Sequence, residues 1–332
     1  MSKRSVISLL PIFAGVMALS ACSSDVSPNV IAGPSSPVDP PPTVAPVVHS
    51  KAFIWSANSG VRVIQPPADV ESIYISGINN HGQVIGDLIP RDGKEDFHAF
   101  VWSLNDGIRR LGSLIGAEGI SRALTIDDDG EVRGLSEGPA TTYFIALHLA
   151  DGFVWTAGGG MKPTNSNPLV SYKPVSEGGK LILPAGATCM KLVTTVSSGL
   201  ALGYAGLIDR GACRTWIALM WEADGTPVVI ATCDPRCAGV SDINNLGEVV
   251  GYRDGGFRWT RSGGFVPVPI DEGWPSMIND KGDAVGVVSG GGPSPFVWTA
   301  SGEIKRIDLP QGAASYYLAG INNSGQVVGT FR

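Results

Sequence analysis

From Lys51 to the C-terminus, apolar side chains come in short runs broken by clusters of Gly, Asn and Asp. Runs this short, rich in branched and aromatic residues and bounded by turn formers, predict β-strands. Two phrases alternate along the chain. One closes in Trp: "AFIW" from Ala52, "AFVW" from Ala99, "GFVW" from Gly152, "IALMW" from Ile217, "GFRW" from Gly256 and "PFVW" from Pro295. The other sets a polar turn between two apolar runs: "GINNHGQVIG" from Gly77, "TIDDDGEVRG" from Thr125, "DINNLGEVVG" from Asp242, "MINDKGDAVG" from Met277 and "GINNSGQVVG" from Gly320. A worn copy, "TVSSGLALG", starts at Thr195.

The second phrase has the chemistry of a tight hairpin. Asn or Asp side chains cap their own turn backbone, and Gly takes the positive φ that other residues resist. This predicts structural turns at Asn79 and Gly82, Asp127 and Gly130, Asn244 and Gly247, Asn279 and Gly282, and Asn322 and Gly325. The second glycine of each phrase, at 86, 134, 251, 286 and 329, falls inside a strand. A glycine there predicts a close backbone approach or a bulge near a crowded centre.

The Trp residues at 55, 102, 155, 221, 259 and 298 are 47, 53, 66, 38 and 39 residues apart, and repeats of about 40–50 residues suit propeller blades or paired-helix arrays. Within one period "HAFVW", "GIRRLG", "SRALTID" and "EVRGLS" read as four short strands. The expected fold is all-β: one six-bladed propeller of four-stranded repeats over residues 51–332. Because the chain enters on a lone Trp strand, "KAFIW" should pair with "VVGTFR" and close the ring. In the third repeat both "IALHL" at Ile145 and "GFVW" at Gly152 can fill the Trp slot, which leaves its register open.

The alternation of Ala-Phe-x-Trp with Ile-Asn-x-x-Gly-x-Val-x-Gly, together with the literal His98-Ala99-Phe100, resembles the extracellular HAF repeat. The resemblance covers about Lys51 to Arg332 and implies a secreted or surface repeat protein of propeller-like form, generally without an assigned reaction.

Composition adds an address. Lys3 and Arg4 precede an apolar stretch, Val6–Ala18, too short to be read as a membrane span, which predicts a signal peptide over residues 1–21. Its end, "LSAC", resembles the lipobox of bacterial lipoproteins, which implies lipid on Cys22; Ser23 in place of Asp then favours the outer over the inner membrane. Residues 22–50 carry seven prolines and read as a tether reaching at most ~80–90 Å. The formal charge of −6, without long Lys/Arg runs, argues against nucleic acid as a partner.

Candidate chemistry is sparse. Asp127-Asp128-Asp129-Gly130 suggests a calcium loop, but it stands in a turn position and lacks the twelve-residue ligand spacing. His49, His81, His98 and His148 show no metal spacing. Gly134-Leu135-Ser136-Glu137-Gly138 matches a nucleophile elbow by letter, yet Pro139 follows where a helix must start. Asp271-Glu272 reads as an exposed loop. No catalytic residue, metal or cofactor is therefore assigned. Cys189, Cys213, Cys233 and Cys237 predict disulfides in an exported chain, with Cys189–Cys213 and Cys233–Cys237 the economical choice among three connectivities. The functional expectation is a lipid-anchored envelope propeller that binds or scaffolds a protein or glycan partner, with the insertion from Met161 to Lys191 as first contact candidate. The alternative is an envelope glycan hydrolase or lyase with an axial pocket.

Overall fold

The computed structural model describes residues 49–91, 97–116, 119–137, 151–164, 181–209, 212–232, 238–288 and 294–332. Among them every regular element is a β-strand, and the strands form six antiparallel sheets of four. Blade 1 contains β3 (Val70–Ile78), β4 (Val84–Pro90), β5 (His98–Ser103) and β6 (Gly107–Arg110). Blade 2 contains β7 (Ile120–Ile126), β8 (Val132–Glu137), β9 (Asp151–Thr156) and β10 (Gly160–Pro163). Blade 3 contains β11 (Cys189–Thr195), β12 (Ala201–Asp209), β13 (Ala212–Trp221) and β14 (Pro227–Thr232). Blade 4 contains β15 (Gly239–Ile243), β16 (Val249–Tyr252), β17 (Gly256–Thr260) and β18 (Gly264–Pro267). Blade 5 contains β19 (Gly273–Ile278), β20 (Ala284–Val288), β21 (Ser294–Trp298) and β22 (Ile304–Arg306). Blade 6 joins β23 (Tyr316–Ile321) and β24 (Val327–Phe331) to β1 (Lys51–Ser56) and β2 (Gly60–Ile64).

This is a six-bladed β-propeller. The sequence repeat and the blade are out of phase: a period read from Trp to Trp covers the outer half of one blade and the inner half of the next. That offset lets the chain close itself. β1 pairs with β24 in the register Lys51–Phe331 to Trp55–Val327, and Arg332 donates from Nε to Ser50 Oγ (2.7 Å) and from Nη2 to Tyr74 Oη (2.9 Å). The six Trp side chains lie on the third strand of their blades and are 0–8% exposed. "GFVW" from Gly152 is the Trp strand of blade 2; Ile145 lies outside the described residues.

The strand glycines are sites of close approach. A Cβ on Gly86 would sit 1.9 Å from the Tyr74 carbonyl oxygen, and one on Gly329 would sit 2.2 Å from that of Tyr317. Each of the six innermost strands also carries a bulge, such as Ile75/Gly77 in β3 and Leu318/Gly320 in β23. A side chain at these glycines would collide with backbone that cannot move independently.

Just before that glycine stands a residue that packs into the next blade: Ile85, Leu202, Val250, Val285 and Val328 are all 0% exposed. Burying each such side chain contributes about 1.5–3 kcal/mol. The resulting apolar clusters tie blade 6 to 1, 1 to 2, 3 to 4, 4 to 5 and 5 to 6.

The turn phrase does more than cap itself. Asn79 Oδ1 accepts the amides of His81 (3.1 Å) and Gln83 (2.9 Å), while its Nδ2 donates to the Asp127 carbonyl of blade 2 (2.9 Å). Asn322 reaches Asn79 O in the same way (2.9 Å), Asn279 reaches Asn322 O (2.8 Å) and Asn244 reaches Asn279 O (2.9 Å). A second track runs beside the first. The backbone amides of Ser198, Asn245, Asp280, Asn323 and Asn80 donate to side-chain oxygens of Asn245, Asp280, Asn323, Asn80 and Asp128, all at 2.8–3.0 Å. Asn79, Asn244, Asn279 and Asn322 are 0–3% exposed, so each bond replaces water that the side chain can no longer reach.

Candidate functional site

Strand alternation gives the disc two unlike faces. The turn face carries the six inner turns, such as residues 79–83 and 322–326, each five residues long, together with outer hairpins such as 57–59 and 104–106. The opposite, loop face carries the connections between blades and between the second and third strands. These vary from 253–255 to the long segment 164–188. Exposed large apolar side chains occur on both faces: Ile115 (57%), Leu207 (43%), Ile208 (60%) and Tyr252 (50%) at the loop face, Leu104 (63%) and Leu246 (71%) at the turn face. The only non-glycine residues with positive φ among those described, Asp254 and Glu272 at 55°, lie at the loop face, at the junction of blades 4 and 5. Tyr252 stands edge-on to Trp274 beside them, with centroids 6.3 Å apart.

The axis holds a small cavity of about 40 Å³, lined by innermost strands of blades 1, 2, 4, 5 and 6. That is room for a few waters, whereas sites for small organic ligands enclose hundreds of cubic ångströms. Its lining is Ser76, Thr125, glycines and apolar side chains, with Asp242 as the single titratable group. Both Asp242 oxygens meet backbone amides: Oδ1 that of Ile243 (2.9 Å) and Oδ2 that of Ile278 in blade 5 (3.0 Å). This carboxylate fastens two blades.

A second buried carboxylate, Asp87 (1% exposed), bridges blades 1 and 2. It accepts from Arg122 Nε (3.1 Å) and from the Ala123 amide beside the bulge in β7 (3.0 Å). Burial pushes its carboxyl above the usual range, against the opposing pull of Arg122 and that amide. Tyr204 holds the corresponding place at the blade 3–4 junction, where its hydroxyl accepts the Val240 amide (2.7 Å). Burial pushes its phenol upward.

The expected turn glycines 82, 130, 247, 282 and 325 have φ of 72–82°. Asp127 accepts the amides of Asp129 and Glu131 on Oδ1, as a turn residue does. Ser136 is a strand residue whose hydroxyl accepts the Leu114 amide and donates to the Ile120 carbonyl. His49 pairs with Glu71 at 3.2 Å. Cys189, at the start of β11, is disulfide-bonded. Cys213 falls on β13, and its side chain is outside those described, as are Cys233, Cys237, His148 and residues 165–180 of the insertion. Cys22 and the tether before His49 also lie outside the described residues. Among the described residues no three His, Cys, Asp or Glu side chains converge as a metal site, and no helix is long and apolar enough to cross a membrane.

Reading the phrases alone missed Asp87, Tyr204 and Asp242. Each sits just beyond the shared letters, at positions where the repeats differ, and its partner is 35 or 36 residues away.

No family model matches the chain, and no curated protein matches it. Among solved structures the chain is similar to a catalytically inactive virginiamycin B lyase from Staphylococcus aureus (14% identity, covering 86% of this chain and 100% of that one, TM-score 0.42). It is also similar to a gluconolactonase from Xanthomonas campestris (9%, 85% and 95%, 0.37) and to the β-propeller domain of a protease from Pyrococcus furiosus (10%, 75% and 88%, 0.37). These likenesses concern the fold and assign no chemistry to this chain.

Proposed function

We propose that the protein is a lipid-anchored module of a bacterial cell envelope, held by Cys22 and a proline-rich tether, whose loop face binds a protein or glycan partner. The observation that carries this reading is the division between the two faces. Connections on the turn face are short and alike, whereas those on the loop face differ in length and sequence from blade to blade. Variable loops on a rigid frame are the usual seat of recognition. A second disulfide joining Cys233 to Cys237, and the pairing of Cys189 with Cys213, belong to the same exported setting. An axial enzyme has less support, because the one carboxylate at the cavity is already engaged by two backbone amides.

The test uses the full chain produced with its leader in a bacterium. Mass spectrometry should find a diacylglyceryl group on Cys22. Cross-linking to purified sacculi and outer-membrane extracts should mark loop-face positions such as Ile115, Tyr252 and Asp308 and spare Leu104 and Leu246 on the turn face. An unmodified Cys22 removes the anchor. Contacts confined to the turn face, or turnover of a defined envelope glycan that is lost on Asp242→Asn, overturn the binding assignment.

A further inference from the structure

Among the described residues, five of the six junctions share an apolar contact between blades, and one does not. At each of the five, an aliphatic residue before the strand glycine is fully buried against the next blade. Blade 2 has Arg133 at that position, with its side chain 54% exposed and turned to Glu131. Its turn has Asp127 where four other turns have Asn, so it has no amide to donate to the carbonyl of the following turn. Val196, the equivalent residue of blade 3, leaves the blade 3–4 junction without this bond as well, but there Leu202 is buried against blade 4 and the Ser198 amide still reaches Asn245.

The second track confirms the direction of the break. It starts at Ser198 in blade 3, passes through blades 4, 5, 6 and 1, and stops at Asp128 in blade 2. Among the described residues no apolar cluster spans blades 2 and 3. The face of blade 3 turned toward blade 2 is covered by its own approaching chain: Leu181, Leu183 and Ala187 pack on Ala201, Leu219 and Trp221. Trp221 Nε1 donates to the Ile182 carbonyl at 2.9 Å. The axial cavity is likewise walled by Leu124, Thr125 and Ile126 of blade 2 but by no described residue of blade 3.

We propose that this junction is a built-in seam, at which the ring opens sideways while each blade stays folded. The closure formed by β1 and β24 is thus a firm joint, and the labile one lies within a continuous stretch of chain. Two side chains create it, Asp127 and Arg133. Opening would admit solvent to the axis between blades 2 and 3. This proposal is independent of what the loop face binds.

Thiol labelling of the full-length native protein reads the opening directly. Leu135 and Thr330 hold the same register position in blades 2 and 6 and are 2% and 6% exposed. In Leu135→Cys the new thiol should label at least ten-fold faster than in Thr330→Cys. Adding Asp127→Asn and Arg133→Val, which restore the pattern of the other junctions, should slow labelling at 135 at least ten-fold and leave 330 unchanged. Equal rates at the two positions, or no response at 135 to the restoring pair, overturn the seam. If Leu135→Cys does not fold, Leu124→Cys at the axial cavity reads the same opening: the restoring pair should slow its labelling at least ten-fold, and no response overturns the seam.

Discussion

The turn face and the loop face are made from the same strands, yet they use their residues for opposite ends. On the turn face the side chains satisfy one another: Asn279 takes two amides of its own turn on Oδ1 and gives Nδ2 to the next blade, with no exposed surface left. On the loop face Ile115 and Tyr252 are half exposed, and two charged residues hold left-handed backbone. Repetition on the turn face therefore marks a place where blades grip one another, although the non-repeating Asp87, Tyr204 and Asp242 also join neighbouring blades. The contrast between the faces is quantitative and can be broken.

The largest effect is expected deep in the frame. Gly329→Ala would place a methyl group 2.2 Å from the Tyr317 carbonyl oxygen and 2.9 Å from the Phe53 ring. Neither can retreat without opening the pairing of β24, so a loss of about 4 kcal/mol or more is expected, measured as the shift in urea midpoint. A mild variant would mean that the close approach is not needed. Next comes Asn279→Ala, which leaves the Lys281 and Asp283 amides and the Asn322 carbonyl short of partners. About 3 kcal/mol is expected, since buried groups left unpaired cost about 1–3 kcal/mol. An Asn279→Asp variant should keep the turn and lose the link to blade 6, separating the two contributions.

Asp87 lies between the faces and supplies a pH test. Its folded carboxyl is raised by burial, so the fold favours the protonated form more than the unfolded chain does. That contribution is full below the ordinary carboxylate value, near pH 4, and is lost as pH rises through the raised folded value. The stability of the native protein relative to Asp87→Asn should therefore fall as pH is raised from about 4 toward neutrality. A flat difference would show the carboxyl to be unperturbed. The smallest effect belongs to the loop face: Ile115→Ser should change stability by no more than about 0.5 kcal/mol. If it costs as much as Asn279→Ala, the distinction between the faces fails.

Much of the frame was legible because a repeat is a controlled comparison within one chain. Six Trp strands, turn glycines at fixed offset and an unpaired first strand state the blade number and the closure before any coordinates. The hydrogen bonds between turns were not legible. A phrase such as "INN" announces a capped turn whether or not a second turn stands beside it. Asn79 meets Asp127 across 48 residues and Asn322 across 243, separations that carry no local signal. Arg133 and Asp127 were in plain view as departures from the phrase. Their meaning depended on seeing that the five aliphatic counterparts face the next blade rather than their own.

By itself the sequence determined the strand content, the hairpin chemistry and the number of blades, because each follows from side-chain period and backbone freedom within about ten residues. Only the tertiary structure decided which groups meet across blades: the paired tracks of turn hydrogen bonds, the buried Asp87 and Asp242, the small axial cavity and the unmatched junction of blades 2 and 3. Those depend on how adjoining sheets are placed side by side, and a partner's position in space is not encoded in either partner's neighbours along the chain.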